Sequence, residues 1–434
     1  MDRTILHCDC NSFFASVECV LNPALWNLPM AVCGSEEDRH GIVLAKNEPA
    51  KRYDIKTAET VGSARRKCPG LVIVPPHYAE YVRVSRAINR IYERFTDLYE
   101  PFSIDESWLD VTGSRALFGS GEEIAEKIRT AVREEIGITL SIGVSFNKTF
   151  AKLGSDYKKP DAVTVITREN YRQILYPLPV EDMLFVGART AEILRRSGIT
   201  TIGQLAGSSP AFLSSRLGKA GEQLYRAANG LDDSPVIPPS EREEAKSVSN
   251  GMTFRRDIRT REEIRLGLGV LSEEIGERLR GLGASARVIA VTVKDPYLRT
   301  VTRQKHISPP TSLSREIAAT ALSLVDAEWR EGKAIRMLTV SATELCRGEG
   351  GEQIGFFDGE RDRTREKNEK LETAVDRIRH RFGRAAIYSG AVIGNDLGID
   401  PGPREKEPEN ETEKAPEKNP DRAETDETDR KEKE

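Results

Sequence analysis

Glu100-Pro-Phe-Ser-Ile-Asp-Glu-Ser-Trp-Leu-Asp-Val-Thr-Gly113 sets two adjacent carboxylates, Asp105 and Glu106, between a Pro-led apolar approach and the strand-like run Trp108-Leu109-Asp110-Val111. The stretch reads as a hairpin tip carrying paired acids. Successive strand residues point to opposite faces, so both acids serve one site only if a turn or bulge breaks the alternation between them. An isolated Asp-Glu pair is most often a solvated turn; a third acid gives this one meaning. Thr4-Ile-Leu-His-Cys-Asp-Cys10 reads as a short strand, with Asp9 at its end, breaking into the helix-like Asn11-Ser12-Phe13-Phe14. Asp9, Asp105 and Glu106 converging across one sheet would supply the oxygen ligands that a hard cation such as Mg²⁺ prefers. Two such ions roughly 4 Å apart clamp the attacking and leaving oxygens of a phosphoryl transfer.

Cys8 and Cys10 share a strand face that Asp9 does not, so they are expected as small buried residues. The six cysteines (8, 10, 19, 33, 68 and 346) show no C-x-x-C spacing, which argues against zinc and against a disulfide framework. At 434 residues the chain suggests three or four domains. It has no apolar run of membrane-spanning length and no signal-peptide pattern, so a cytoplasmic location is expected. The net charge of −4 conceals an uneven distribution: residues 401–434 hold 8 Lys/Arg against 13 Asp/Glu, which leaves residues 1–400 at +1. Residues 246–346 alone carry 17 basic and 12 acidic side chains, and clustered basic charge is the footprint of phosphate binding.

The periodicities give an α+β, multi-domain chain. Tyr81, Val84, Ile88, Tyr92 and Phe95 lie at helical spacing, as do Ile124, Ile128 and Val132, with Gly137 a helix stop. Ile138, Leu140, Ile142 and Val144 alternate as a half-buried strand, giving a sheet covered on one face by helices. Residues 168–236 read as short helices and 237–245 as a linker. Residues 246–346 read strand, helix, strand, strand, helix, strand. Residues 361–383 form a helix with Leu371, Val375, Ile378 and Phe382 on one face, and the composition from 400 to 434 is that of a disordered tail.

Three segments in register carry a specific resemblance. Asp9-Cys-Asn-Ser-Phe-Phe-Ala-Ser-Val-Glu18, Ser103-Ile-Asp-Glu-Ser107, and Gly143-Val-Ser-Phe-Asn-Lys-Thr-Phe-Ala-Lys152 followed by Lys159-Pro160 resemble the motifs of the Y-family DNA polymerases, on the DinB branch, over residues 1 to about 345. The resemblance implies a right-hand polymerase. Its palm would be 1–11 and 77–167, its fingers 12–76, its helix-hairpin-helix-like thumb 168–236 and its βαββαβ little finger 246–346. It implies translesion-type DNA synthesis without a proofreading exonuclease, two Mg²⁺ ions on Asp9, Asp105 and Glu106, and primer-template DNA and a dNTP as partners of a monomer. Ser12, Phe14, Lys51 and Lys159 would face the nucleotide, with Phe14 under the sugar to exclude a 2′-hydroxyl. Gly187 in the thumb and Arg255, Arg256, Arg299, Arg303 and Lys305 in the little finger would contact DNA. Within 347–399, Gln353-Ile-Gly-Phe-Phe357 resembles the peptide that docks bacterial polymerases on the sliding clamp, through Gln353, Phe356 and Phe357.

Two departures stand out. Glu48 and Lys51 occupy the positions where the family usually places Tyr and Arg against the triphosphate, and Phe185 replaces the first glycine of the thumb hairpin. They favour an alternative, a catalytically weak relative acting as a DNA- and clamp-binding factor. A nucleotide cyclase would share the acidic hairpin but leave the basic region at 246–346 unexplained.

Overall fold

The computed structural model describes residues 2–37, 39, 41–241, 243–330, 332–347 and 359–399. Twelve strands are named in chain order: β1 (Ile5–Cys10), β2 (Met30–Cys33), β3 (Val43–Lys46), β4 (Val72–Val74), β5 (Tyr99–Pro101), β6 (Glu106–Asp110), β7 (Leu140–Ser145), β8 (Val163–Val165), β9 (Ser247–Ile258), β10 (Ala284–Lys294), β11 (Thr300–Thr311) and β12 (Ile335–Arg347).

The first sheet has the order β5-β6-β1-β7-β8, so the strand ending in Asp9-Cys10 is its centre. Both neighbours of β1 run antiparallel to it, and Asp9 lies directly opposite Glu106 on β6. Alternation sends Leu6, Cys8 and Cys10 to one face. There they pack with Tyr81, Ile88 and Ile128 from the helices Tyr78–Tyr92 and Gly121–Ile136. The second helix starts on a Ser120/Glu123 capping box and stops at Gly137, whose φ of 84° is left-handed.

The opposite face is also covered, contrary to the expectation of a sheet helical on one side only. The helix Lys148–Tyr157 lies across β7 and β1, and every residue of β1 and β7 is buried. Close approach is possible because β7 carries Gly143. A methyl group there would sit 1.9 Å from the carbonyl oxygen of Ala151 and 2.5 Å from the amide nitrogen of Ser155. The small side chains Ser141, Gly143 and Ser145 are therefore inward residues beneath a helix, and β7 is not half-buried.

The helix Phe13–Leu21 joins this unit to the next. Its Phe13 and Val17 belong to the first core, while Ala15 and Cys19 pack on Met30 and Val32 of the small sheet β3-β2-β4. Buried Asn47 ties that region together: its Oδ1 accepts from the amides of Met30 and Ala50 at 3.0 and 3.1 Å, and its Nδ2 donates to the carbonyls of Leu25 and Leu28. Short helices from Tyr171 to Ala228 enclose their own core around Leu194, Leu205, Leu213 and Leu224.

The last sheet is antiparallel, in the order β11-β10-β12-β9, backed by the helices Arg261–Gly281 and Ser314–Glu328. The strand-helix pattern expected for 246–346 is the one observed. The helix Gly359–Phe382 differs from expectation, because Leu371 and Phe382 are 60% and 64% exposed. It docks through charge instead: Arg280 grips Glu372 and Asp376, each at 2.5 Å, and Arg379 meets Glu273 at 2.8 Å. Beyond it Val392, Leu397 and Ile399 enter the core beneath β9.

Gly143→Ala should therefore lower stability by about 1–3 kcal/mol or more, since backbone would be forced against backbone. Gly62→Ala, in an open position of the helix Val61–Lys67 with nothing within 4 Å, should be neutral to about 1 kcal/mol stabilising. Thermal melting of the two variants side by side tests this; equal shifts would contradict the close helix-sheet contact.

Candidate active site

The β5-β6 hairpin turns through Phe102–Asp105, with the amides of Phe102 and Ser103 both donating to the carbonyl of Glu106. Asp105 thus stands in the turn and Glu106 begins the strand, the break in alternation that two adjacent acids need to share a site. The amide of Cys10 donates to the carbonyl of Asp105 at 3.0 Å, fastening the turn to the end of β1. Ser103 Oγ donates to Asp105 Oδ1 at 2.6 Å and orients that carboxylate. Asp9, Asp105 and Glu106 line one cleft of about 390 Å³, together with Ser12, Phe14, Lys51 and Lys159. All seven residues expected at the catalytic and nucleotide sites are brought together there.

Setting a buried carboxylate, Asp9, beside two half-buried ones, Asp105 and Glu106, demands compensating positive charge. Lys152, from the helix across the sheet, reaches Asp9 Oδ2 and Glu106 Oε2 at 3.0 Å each. Lys159 reaches Asp9 Oδ2 at 2.7 Å, and Asp156 accepts from both ammonium groups. His7, two residues before Asp9 on the same face of β1, contacts Ser155 Oγ at 2.9 Å and Glu106 Oε2 at 3.4 Å.

The acids respond differently. Burial works to raise the Glu106 pKa, but the adjacent His7 imidazole and the Lys152 charge outweigh it and hold the group at about 2. Asp105, which has no such cation against it among the described residues, is raised, by burial first and then by the nearby charges of Asp9 and Glu106. Burial holds His7 below the usual imidazole value.

The donor set suits a divalent cation. Ligand atoms of His7, Asp9 and Glu106 lie within 4.8 Å of one another, and Asp105 adds a carboxylate at the same mouth. The positive charge these acids require is supplied by lysine, which a cation could replace.

Lys152, His7 and Asp156 were not among the expected site residues. Strand alternation from Asp9 points to His7, and the i, i+4 spacing of Lys152 and Asp156 places both on one helical face. Lys51 lines the cleft but is paired with Glu48 at 2.5 Å. Lys46, also at the cleft wall, donates to Thr57 at 3.0 Å. Phe13 and Phe14 both line the cleft, but Phe13 is 3% exposed and belongs to the core, whereas Phe14 is half-buried.

The expected DNA-contacting residues are not gathered in one place. Phe185 is 80% exposed with φ 69°, so it adopts the left-handed conformation that a glycine would take without strain. Gly187 follows as the N-cap of the helix Ala188–Arg196. Arg255 and Arg256 lie on β9, while Arg303 and Lys305 lie on β11, the opposite edge of the sheet. Arg299 is in the turn before β11 and reaches 6.0 Å from the Tyr297 ring centre. Arg256 is held by Asp396 and Glu263 at 2.7 and 2.6 Å. Gln353, Phe356 and Phe357, like the charged tail, fall outside the described residues.

An acidic sheet end facing a nucleotide-sized cleft with lysines at its rim defines a nucleotidyl-transfer palm. Residues 8–156 match the impB/mucB/samB family and residues 245–356 its C-terminal domain, together more than half of the chain. The DNA polymerase IV of Acetivibrio thermocellus is 46% identical over 400 residues, covering 92% of this chain and 100% of that protein. The Moorella thermoacetica DNA polymerase IV is 39% identical, with 90% and 96% covered. A solved chimeric Y-family DNA polymerase superimposes with a TM-score of 0.70 at 24% identity, over 80% of this chain and 100% of its own. The chain belongs to the impB/mucB/samB family, as a DinB-like member of the Y-family.

In metal-free protein, Lys152→Met should leave Glu106 without its lysine and Asp9 with Lys159 alone, destabilising the palm by about 2–4 kcal/mol. Added Mg²⁺ should recover more melting temperature in this variant than in wild type. Equal responses to the cation would show that lysine and metal do not compete for the same carboxylates.

Proposed function

We propose that the chain is a template-directed DNA polymerase of the translesion type, joining a primer 3′-hydroxyl to the α-phosphate of a dNTP with release of pyrophosphate. The observation that carries the reading is the convergence of Asp9, Asp105 and Glu106 with Lys159 and Phe14 on one cleft. Two Mg²⁺ ions held by the three carboxylates would supply charge stabilisation at the reacting phosphate. Lys159 lies close enough to Asp9 to pass to a triphosphate oxygen as a point charge, and Lys51 would do the same on leaving Glu48. Ser12 Oγ, buried at the cleft and without a hydrogen-bond partner among the described residues, is a ready donor for a phosphate. Phe14 would pack under the sugar and leave no room for a 2′-hydroxyl.

Around the catalytic unit, the amides at the start of the helix after Gly187 and the basic edges of the β9–β12 sheet, including Arg255, Arg303 and Lys305, would hold DNA phosphates without reading bases. Such a monomer would work in the cytoplasm; among the described residues no helix is long and apolar enough to cross a membrane. The catalytically weak alternative is not favoured. The two residues behind it, Glu48 and Phe185, leave Lys51 at the cleft and the hairpin backbone in place.

Primer extension with purified protein, Mg²⁺ and each dNTP is the direct test. Asp105→Ala and Glu106→Ala should each abolish extension while duplex binding persists, since the phosphate contacts lie elsewhere; full activity in either variant would remove the two-metal assignment. We further assign Gln353–Phe357 as a sliding-clamp peptide. Its deletion should spare extension of short primers and remove stimulation by the clamp, and stimulation that survives would place the contact elsewhere.

A further inference from the structure

Glu18 is a buried carboxylate, 3% exposed, that none of the chemistry above uses. It lies one helical turn beyond Phe14, so the two side chains share a face of the helix Phe13–Leu21. The facing helix, Tyr78–Tyr92, answers both. Its Tyr81 ring stacks on Phe14 with centroids 4.2 Å apart and planes 12° from parallel, and its hydroxyl donates to Glu18 Oε1. His77, the residue before that helix, places Nδ1 at 2.9 and 3.1 Å from the two Glu18 oxygens. A carboxylate only accepts, so both partners act as donors. Burial, and then the hydrogen bond to Glu18, hold the Tyr81 hydroxyl protonated well above its usual range. Tyr78 closes the edge of the Phe14 ring at 5.6 Å and 77°.

Phe14 therefore cannot recede from the cleft without displacing Tyr81. Tyr81 is fully buried and pinned at its far end by Glu18. A ring that excludes a hydroxyl by bulk is only as selective as its backing is rigid.

We propose that Glu18, acting through the Tyr81 hydroxyl and fixed by His77, is a positioning residue for the Phe14 ring and thereby sets how strongly the enzyme rejects ribonucleotides. The inference rests on the reading of Phe14 as the wall beneath the sugar.

The test is the ratio of kcat/KM for a dNTP to that for the matching rNTP in single-nucleotide primer extension, with melting temperatures on the same preparations. Tyr81→Phe keeps the stack and removes only the hydroxyl. It should lower the ratio about tenfold, the scale on which a one-methylene difference in fit is felt, through a rise in rNTP kcat/KM larger than any change for dNTP. Glu18→Leu should do the same or more, and Glu18→Gln, which still offers an oxygen to Tyr81, should restore most of the selectivity. A purely structural role would lower both substrates' kcat/KM in parallel with melting temperature and leave the ratio alone, which would overturn the proposal. Should Glu18→Leu not fold, Tyr81→Phe decides. Phe14→Ala separates the two levels of argument. A collapsed ratio in Phe14→Ala alone, with Tyr81→Phe at the wild-type ratio, refutes the positioning role. An unchanged ratio in Phe14→Ala refutes the sugar reading and the proposal with it.

Discussion

Everything at the site follows from the antiparallel register that sets Asp9 against Glu106 at the end of the central strand. Strand pairing brings the two carboxylates together, and the hairpin turn adds Asp105. In a buried place like charges raise one another's pKa and favour protonation unless a cation intervenes. The helix Lys148–Tyr157 supplies it, and its approach depends in turn on the missing side chain at Gly143. One packing decision, small residues on the far face of β7, thus governs both the stability of the sheet and the charge state of the site. The same lysines that neutralise the acids line the cleft, Lys152 on Asp9 and Glu106 and Lys159 on Asp9.

The central strand, the acidic hairpin and the order of elements in the β9–β12 region were legible because their signals are local: alternation, turn residues and helical spacing within a dozen positions. What was missed is long-range. Ser141, Gly143 and Ser145 look like the solvent side of a strand, and only the helix folded over them makes them interior. Lys152 and His7 became site residues because distant segments met. Leu371, Ile378 and Phe382 have the spacing of a buried face, yet the partner surface offers Arg280 and Glu273, and ion pairs decided which side of the helix docks. Phe185 was the opposite case, a residue that put phosphate contact at the thumb hairpin in doubt; its backbone adopts the left-handed turn at a cost of about 1 kcal/mol or more for a non-glycine.

The cleft also shows two kinds of wall. The acidic side is polar, made of carboxylates paired with Lys152 and Lys159. The Phe14 side is aromatic and backed by a buried, hydrogen-bonded Tyr81. The helix Phe13–Leu21 links the two walls, because its first residues leave the strand that ends in Asp9-Cys10.

The central claim is that the three acids form a divalent-cation centre completed by nucleotide. Counting Mn²⁺ bound to the complex of protein, dideoxy-terminated primer-template and incoming dNTP, by electron paramagnetic resonance, tests it most directly. Two tightly held ions per complex, reduced in Asp9→Asn and in Asp105→Asn, are the predicted result. Undiminished ion binding in both variants, or no ordered ion in the wild-type complex, would contradict the account.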